Sequence, residues 1–171
     1  GAKTVVYLPE RAAAAKINTL KNWGAEVVLT GDVWDDANAA ALERAGRDSL
    51  TYIHPFADPT VITGQATLAR EMLKQSSQID VIVAGIGGGG LISGVALAAK
   101  AIKPEVRVIG VEPMGAPTLK TSIDTGVVAA LETIETDAIT LAPKKSAAVN
   151  VDIISRLVDE IVLVDDNAMR S

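Results

Sequence analysis

Residues 81–100 read VIVAGIGGGGLISGVALAAK, which places four consecutive glycines between a β-branched run and a helix-forming run. Glycine suits neither element, because it loses the most backbone freedom on folding. At a strand-to-helix junction, however, glycines let successive backbone N–H groups converge with no side chains in the way, and the helix dipole adds positive potential. The junction therefore predicts an anion site with phosphate as its usual ligand. A tightly packed turn is the purely structural alternative.

The rest of the chain alternates predicted strands and helices. The strands are continuous apolar runs, which is typical of a parallel sheet covered on both faces, so we predict an α/β fold with a three-layer parallel-sheet arrangement. Gly24 and Gly46 stand where the first two helices should end, and Asp58 followed by Pro59 should begin the third. The predicted strands are residues 3–9, 25–31, 50–56, 79–86, 105–113 and 160–165; the helices are residues 10–23, 35–46, 59–74, 91–102, a helix from about residue 117, and residues 151–158, with 126–149 unassigned.

Composition and charge exclude some classes of binding partner. The chain has 171 residues, of which 49% are hydrophobic and 22% charged, as in an ordinary globular protein. Its net charge of −5 argues against nucleic acid as a ligand. No apolar run is long enough to cross a membrane, and the lack of cysteine fits a reducing cytoplasm. We therefore expect a cytoplasmic protein whose partners include neither nucleic acid nor a membrane.

The glycine spacing is compatible with more than one phosphate ligand. Gly85, Gly87 and Gly90 spell G-x-G-x-x-G, and the next predicted strand ends in Glu112, about where a dinucleotide site keeps its ribose-binding acid. That fingerprint normally lies in the first strand-to-helix turn of its domain, whereas three predicted strands precede it here. A dinucleotide site, or a non-catalytic module that binds a phosphorylated ligand, stays an alternative.

Several stretches together resemble one enzyme family. YIHPFADPTVITGQATLAREML (residues 52–73) and VIGVEPMGAP (residues 108–117) flank the glycines at the spacing of threonine dehydratases. The chain resembles the serine/threonine dehydratase and serine racemase group of fold-type II pyridoxal-phosphate enzymes, which share the fold of the tryptophan synthase β subunit. The resemblance implies an incomplete copy of that fold, with residues 1–60 as the second part of the small domain and residues 61–171 as the first part of the large, phosphate-binding domain.

The resemblance also implies an activity. The full-length protein is expected to convert a β-hydroxy amino acid, such as threonine or serine, to an oxo acid and ammonia with pyridoxal 5′-phosphate as cofactor, and to form a homo-oligomer. An amino-acid racemase of the same family is the alternative. In this family the tetraglycine loop binds the cofactor phosphate through backbone N–H groups. The implied phosphate ligands are the N–H groups of Gly87, Gly88, Gly89, Gly90 and Leu91.

Two motifs of the family do not occur in this chain. One is a Ser-Phe-Lys-like motif that carries the Schiff-base lysine, and the other is a Ser-x-Gly-Asn-His motif that contacts the cofactor ring. The chain therefore looks like an internal part of a family chain, without a catalytic residue of its own. We expect it alone to be inactive and to bind the cofactor weakly.

Three further features carry open alternatives. In the racemase branch the resemblance implies a Mg²⁺ or Ca²⁺ site at Glu112 and the Ala116 carbonyl, although Thr118 replaces the family's third ligand, an Asp; a plain strand-end acid is the alternative. His54, the only histidine, is interpreted as structural, with a role in lining the site as the minority alternative. The stretch ETDAITLAPKK (residues 135–145) lacks the glycine that the family has beside the cofactor, so either substrate handling differs or the loop is rebuilt.

Overall fold

The structure is a computed structural model that describes residues 2–170, and the chain divides between Ile53 and His54 into two compact units. The first unit contains two parallel strands whose partners run from Val5 opposite Glu26 to Leu8 opposite Leu29. This strand–helix–strand–helix order confirms the predicted pattern. Its elements are β1 (Val5–Leu8), α1 (Ala14–Asn22), β2 (Glu26–Leu29) and α2 (Trp34–Arg47).

Glycine marks one helix end in this unit but not the other. Gly24, the second residue after α1, has φ +83°, the left-handed conformation that the sequence predicted for it. Gly46, in contrast, lies inside α2, so the prediction that it ends that helix is wrong. The helix continues by one residue past Gly46, and Arg44 pairs with Asp48 at its C-terminal end. A glycine in a helix costs only about 1 kcal/mol, so such contacts can outweigh it.

The predicted strand at residues 50–56 is also wrong, because these residues form an irregular segment that ends in a turn. Pro55 has no N–H to donate to a neighbouring strand. The N–H groups of Phe56 and Ala57 donate to Nδ1 of His54, at 3.2 and 3.0 Å. At the end of this segment, the backbone donors that a ladder would need are therefore absent or already used.

The second unit contains a sheet of three parallel strands in the order β3-β4-β5. The first strand pairs with the middle one from Val81 opposite Arg107, and the middle strand pairs with the last one, with Val111 opposite Val162. The three strands of this sheet and the four longer helices of the described unit were predicted at nearly these positions, whereas the short last helix was not predicted. The elements are α3 (Pro59–Gln75), β3 (Val81–Gly85), α4 (Gly90–Ile102), β4 (Arg107–Pro113), α5 (Thr118–Thr125), α6 (Ala148–Leu157), β5 (Glu160–Val164) and α7 (Asp166–Arg170).

One face of this sheet is packed and the other is half open in the described residues. Ile82 and Val108 are 4% and 0% exposed and belong to the core that α3, α4, α5 and α6 complete. Val81, Val83 and Val162 lie on the opposite face and are 45%, 61% and 38% exposed. The fold is thus the predicted parallel α/β arrangement, and it is incomplete: residues 2–170 cover one face of a sheet whose apolar strands suit cover on both.

The unassigned stretch at 126–149 is irregular, apart from a short 3₁₀ helix (Ile139–Leu141), yet it is tied to the unit by hydrogen bonds. The N–H of Leu131 donates to the Lys144 carbonyl at 2.8 Å, and the Thr118 hydroxyl donates to the Pro143 carbonyl at 2.8 Å. In residues 2–170, no helix has the length and apolar character needed to cross a membrane.

Candidate functional site

The glycine loop (residues 87–90) joins the end of β3 to the start of α4. Strand β3 ends at Gly85 and α4 begins at Gly90, as the sequence predicted to within one residue. Gly89 immediately precedes the helix in the left-handed conformation, with φ +92° and ψ −7°. A residue with a Cβ rarely adopts that conformation, so glycine is required at this position.

Neighbouring atoms leave no room for side chains at two more of the glycines. A Cβ built on Gly88 would lie 2.2 Å from the ring of Phe56, and one built on Gly90 would lie 2.7 Å from the Phe56 Cα. Further along α4, a Cβ on Gly94 would lie 2.4 Å from the Ile62 carbonyl oxygen of α3. The glycines therefore serve close packing as well as turn geometry.

The loop also presents a set of open backbone donors. Within residues 2–170, the N–H groups of residues 87–91 donate no hydrogen bond to a protein acceptor. The first N–H groups of a helix have no partner inside the helix, and the helix dipole makes this end electropositive. The loop is chemically suited to bind an anion through backbone donors.

One carbonyl of the same loop has two side-chain partners. The Gly88 carbonyl accepts hydrogen bonds from Ser146 Oγ at 2.9 Å and from Asn150 Nδ2 at 2.8 Å. Both Ser146 and Asn150 are buried. The sequence analysis missed these two side chains, because nothing in the local pattern around them points to a loop so far away along the chain.

The stretch at residues 135–145 also contacts the glycine loop. A Cβ built on Gly87 would lie 3.0 Å from the Leu141 Cα, and the Leu141 side chain contacts the position of a Cβ on Gly85 at 3.6 Å. The stretch therefore packs against the glycines through its backbone and the Leu141 side chain.

Glu112 lies one junction away, and its carboxylate is already engaged. It is 1% exposed, and its two oxygens accept hydrogen bonds from the N–H groups of Leu119 and Lys120, both at 2.8 Å. Burial raises the pKa of Glu112 to about 7, although these two donors favour the charged form. The carboxylate caps the start of α5, and this role competes with binding a ribose hydroxyl.

The other two positions of the implied cation site have protein partners too. The Ala116 carbonyl accepts from the N–H of Thr118 at 2.9 Å, and the Thr118 hydroxyl donates to Pro143. Across the described residues, no group of three or more His, Asp and Glu side chains could hold a metal ion. The structure brings Glu112 near this turn but adds no further carboxylate to it.

His54 lies in the turn before α3. Its Nδ1 accepts two backbone hydrogen bonds, and burial lowers the pKa of the ring, so the neutral form is favoured. Its ring lies edge-on to that of Phe56, with 4.4 Å between ring centres. His54 thus shapes the turn that presents Phe56 to the glycine loop.

The chain matches the family described as pyridoxal-phosphate dependent enzyme over residues 1–171, and it belongs to that family. It is 37% identical over 166 residues to an L-threonine ammonia-lyase from Thermotoga maritima, covering 97% of this chain and 41% of that protein.

Solved structures show the same family resemblance. The processed form of threonine deaminase isoform 2 from Solanum lycopersicum superposes with a TM-score of 0.88 at 36% identity, covering 96% of this chain and 48% of that one. Maize serine racemase superposes with a TM-score of 0.91 at 32% identity, covering 98% and 51%. The chain therefore spans about half the length of these relatives, or less.

Proposed function

We propose that the protein to which this chain belongs is a pyridoxal-phosphate-dependent ammonia-lyase that converts a β-hydroxy amino acid, such as threonine or serine, to an oxo acid and ammonia. The observation that carries the proposal is the set of open N–H donors of residues 87–91 in a chain of this family. The similarity to an L-threonine ammonia-lyase supports the choice of reaction.

The glycine loop fits the phosphate group of the cofactor. Gly87, Gly88, Gly89, Gly90 and Leu91 would hold it through backbone N–H groups. Hydrogen bonds to a charged group contribute roughly 1.5–3 kcal/mol each, so several of them bind a dianion firmly. Phe56 packs on the outer side of the loop and holds its shape.

The cofactor, when bound, supplies an electron-withdrawing ring that stabilises charge at the substrate α-carbon. The described residues supply binding and orientation through the phosphate. The chain has no Ser-Phe-Lys-like motif, so we place the Schiff-base lysine outside it. Lys100 and Lys120, for example, pair with Asp159 and Asp124 instead.

The remaining expectations are part of the same proposal. Residues 1–60 would belong to the small domain and residues 61–171 to the large one, in a homo-oligomeric, cytoplasmic enzyme. A Mg²⁺ or Ca²⁺ ion at Glu112 and Ala116 stays a prediction, which competes with the hydrogen bonds that both groups already make. A racemase is the second candidate, because maize serine racemase shares the fold at 32% identity.

Assay of the complete protein with L-threonine and L-serine tests the reaction. We expect oxo acid and ammonia in equal amounts. Formation of the D-amino acid instead would identify a racemase, and a cofactor-loaded protein that turns over neither substrate would refute the lyase.

Residues 1–171 on their own should be catalytically inactive and bind the cofactor weakly. The absorbance spectrum of this chain after mixing with pyridoxal phosphate is the measurement. A stable cofactor adduct that borohydride fixes onto one lysine of this chain would contradict the placement of the lysine.

A further inference from the structure

Asn150 joins three parts of the second unit through one buried side chain. It is 0% exposed, and its Nδ2 donates to the carbonyls of Phe56 and Gly88, each at 2.8 Å. Its Oδ1 accepts a hydrogen bond from Ser93 Oγ of α4 at 3.1 Å. Carbonyl oxygens only accept, so the amide nitrogen must be the atom that faces Phe56 and Gly88.

The bonds to Gly88 determine where the next N–H points. In a trans peptide the C=O of one residue and the N–H of the following residue point in opposite directions. Asn150 and Ser146 both hold the Gly88 carbonyl, so the N–H of Gly89 is directed away from α6 and into the open donor set.

This peptide needs an external constraint, because it lies between two glycines. Glycine adopts positive and negative φ almost equally well, so a Gly–Gly peptide can rotate at little cost. Rotation would replace the Gly89 donor by the Gly88 carbonyl oxygen, which repels an anion. A buried amide that cannot move without losing three hydrogen bonds opposes that rotation.

We propose that Asn150, assisted by Ser146, is a positioning residue that keeps the Gly88–Gly89 peptide in its anion-binding orientation. The inference rests on the proposed phosphate-binding function of the glycine loop. It does not require Asn150 to touch the cofactor, and it assigns a role to the start of α6, which the loop contacts through the Gly88 carbonyl.

The test compares pyridoxal phosphate with pyridoxal, which lacks the phosphate, as ligands of the complete protein. Asn150→Asp preserves the size of the side chain but replaces the donor with an acceptor. Ser146→Ala removes one donor and leaves Asn150 in place, so it serves if Asn150→Asp folds poorly. Asp152→Asn is the matched control, because Asp152 is on the same helix with its side chain 61% exposed.

The readout is the ratio of the two dissociation constants, which measures how much the phosphate group contributes to binding. We expect Asn150→Asp to lower the preference for the phosphorylated ligand by about tenfold or more, equivalent to about 1.4 kcal/mol. Ser146→Ala should lower it a few-fold, and Asp152→Asn should leave it unchanged. A general loss of packing would weaken both ligands together and leave the ratio as it was.

The two proposals fail in different ways. If the unmodified protein prefers pyridoxal phosphate and both variants keep that preference, the role of Asn150 is refuted while the phosphate site stands. If the unmodified protein shows no preference, the glycine loop is not the phosphate site and the proposed function itself fails. The phosphorus NMR shift of the bound ligand, which should move in Asn150→Asp and stay unchanged in Asp152→Asn, checks the first outcome independently.

Discussion

Two consecutive strand-to-helix junctions of the same sheet treat the helix N-terminus in opposite ways. At the β3–α4 junction the chain supplies glycines, and the N–H groups of residues 87–91 have no acceptor in the described part of the protein. At the β4–α5 junction the chain supplies Glu112, whose carboxylate accepts from the N–H groups of Leu119 and Lys120. The first junction leaves its donors open, and the second fills them with a carboxylate of the chain itself.

The difference shows that position in the fold alone does not define a site. Both junctions lie at the carboxyl ends of parallel strands, where ligands of such sheets usually bind. Only the first combines open donors with packing that keeps side chains out, since Phe56 blocks a Cβ at Gly88 and Gly90. Substitutions that close the first junction or open the second test this comparison directly.

Gly90→Ala should have the largest effect. The new Cβ would lie 2.7 Å from the Phe56 Cα and 2.8 Å from its carbonyl oxygen, and backbone atoms cannot rotate away. We expect a loss of pyridoxal phosphate affinity of about 100-fold, which is about 2.7 kcal/mol, and a destabilisation of roughly 1–3 kcal/mol. Ligand titration and urea unfolding of the complete protein are the measurements.

The matched control for that substitution is Gly64→Ala in α3, where no atom lies within 4 Å of the built Cβ. It should leave binding unchanged. Normal cofactor affinity in Gly90→Ala would show that the loop tolerates side chains, which would contradict the difference drawn between the two junctions.

Glu112→Ala opens the second junction. The variant leaves the N–H groups of Leu119 and Lys120 without their acceptor. Each stranded donor costs about 1–3 kcal/mol, so we expect the two together to lower the free energy of unfolding by roughly 2–6 kcal/mol. Formate or inorganic phosphate should restore part of it, because the junction then resembles the β3–α4 junction. Equal responses of the variant and the unmodified protein to these anions would argue against the carboxylate as an internal substitute.

Features that depend on neighbouring residues were predictable from the sequence. Asp58 accepts from the N–H of Thr60 at 2.7 Å and begins α3 at Pro59, as the local pattern indicated. The strands of the second unit follow their apolar runs. Gly46 and residues 50–56 were misread, because contacts from Arg44 and His54 override the local preference.

The site was predictable only where its chemistry is local. Four glycines before a helix indicate open donors without any knowledge of the fold. Asn150 and Ser146, by comparison, lie 62 and 58 residues from the Gly88 carbonyl that they bind. Nothing in a single sequence records which distant polar side chain the fold brings to a given carbonyl, so this half of the loop became visible only in the structure.

The pH dependence of stability reports on the buried Glu112 carboxyl at the β4–α5 junction. Burial raises the pKa of Glu112 to about 7, whereas the unfolded chain has an ordinary glutamate near 4.3. Between these values the folded state binds more protons than the unfolded state, so the free energy of unfolding should fall as pH rises from about 4 to 7 and level off above it. The change is at most roughly 4 kcal/mol.

Urea unfolding between about pH 5 and pH 8, repeated with Glu112→Gln, measures this contribution. His54, whose lowered pKa acts in the opposite direction, is present in both proteins, so its effect cancels in the difference. The same slope in the variant would assign the pH dependence to other groups.

Gly46→Ala is expected to have the smallest effect, and its sign is opposite to that of Gly90→Ala. Gly46 lies inside α2, has no left-handed backbone, and has nothing within 4 Å of a built Cβ. Alanine should therefore stabilise the protein by roughly 0.5–1 kcal/mol, because it reduces the backbone freedom of the unfolded chain. Gly24→Ala is the paired variant: its φ of +83° disfavours alanine, so it should destabilise by roughly 1 kcal/mol. Thermal or urea unfolding gives both values. A destabilised Gly46→Ala would mean that glycine is needed at this position for a reason other than space or a left-handed backbone.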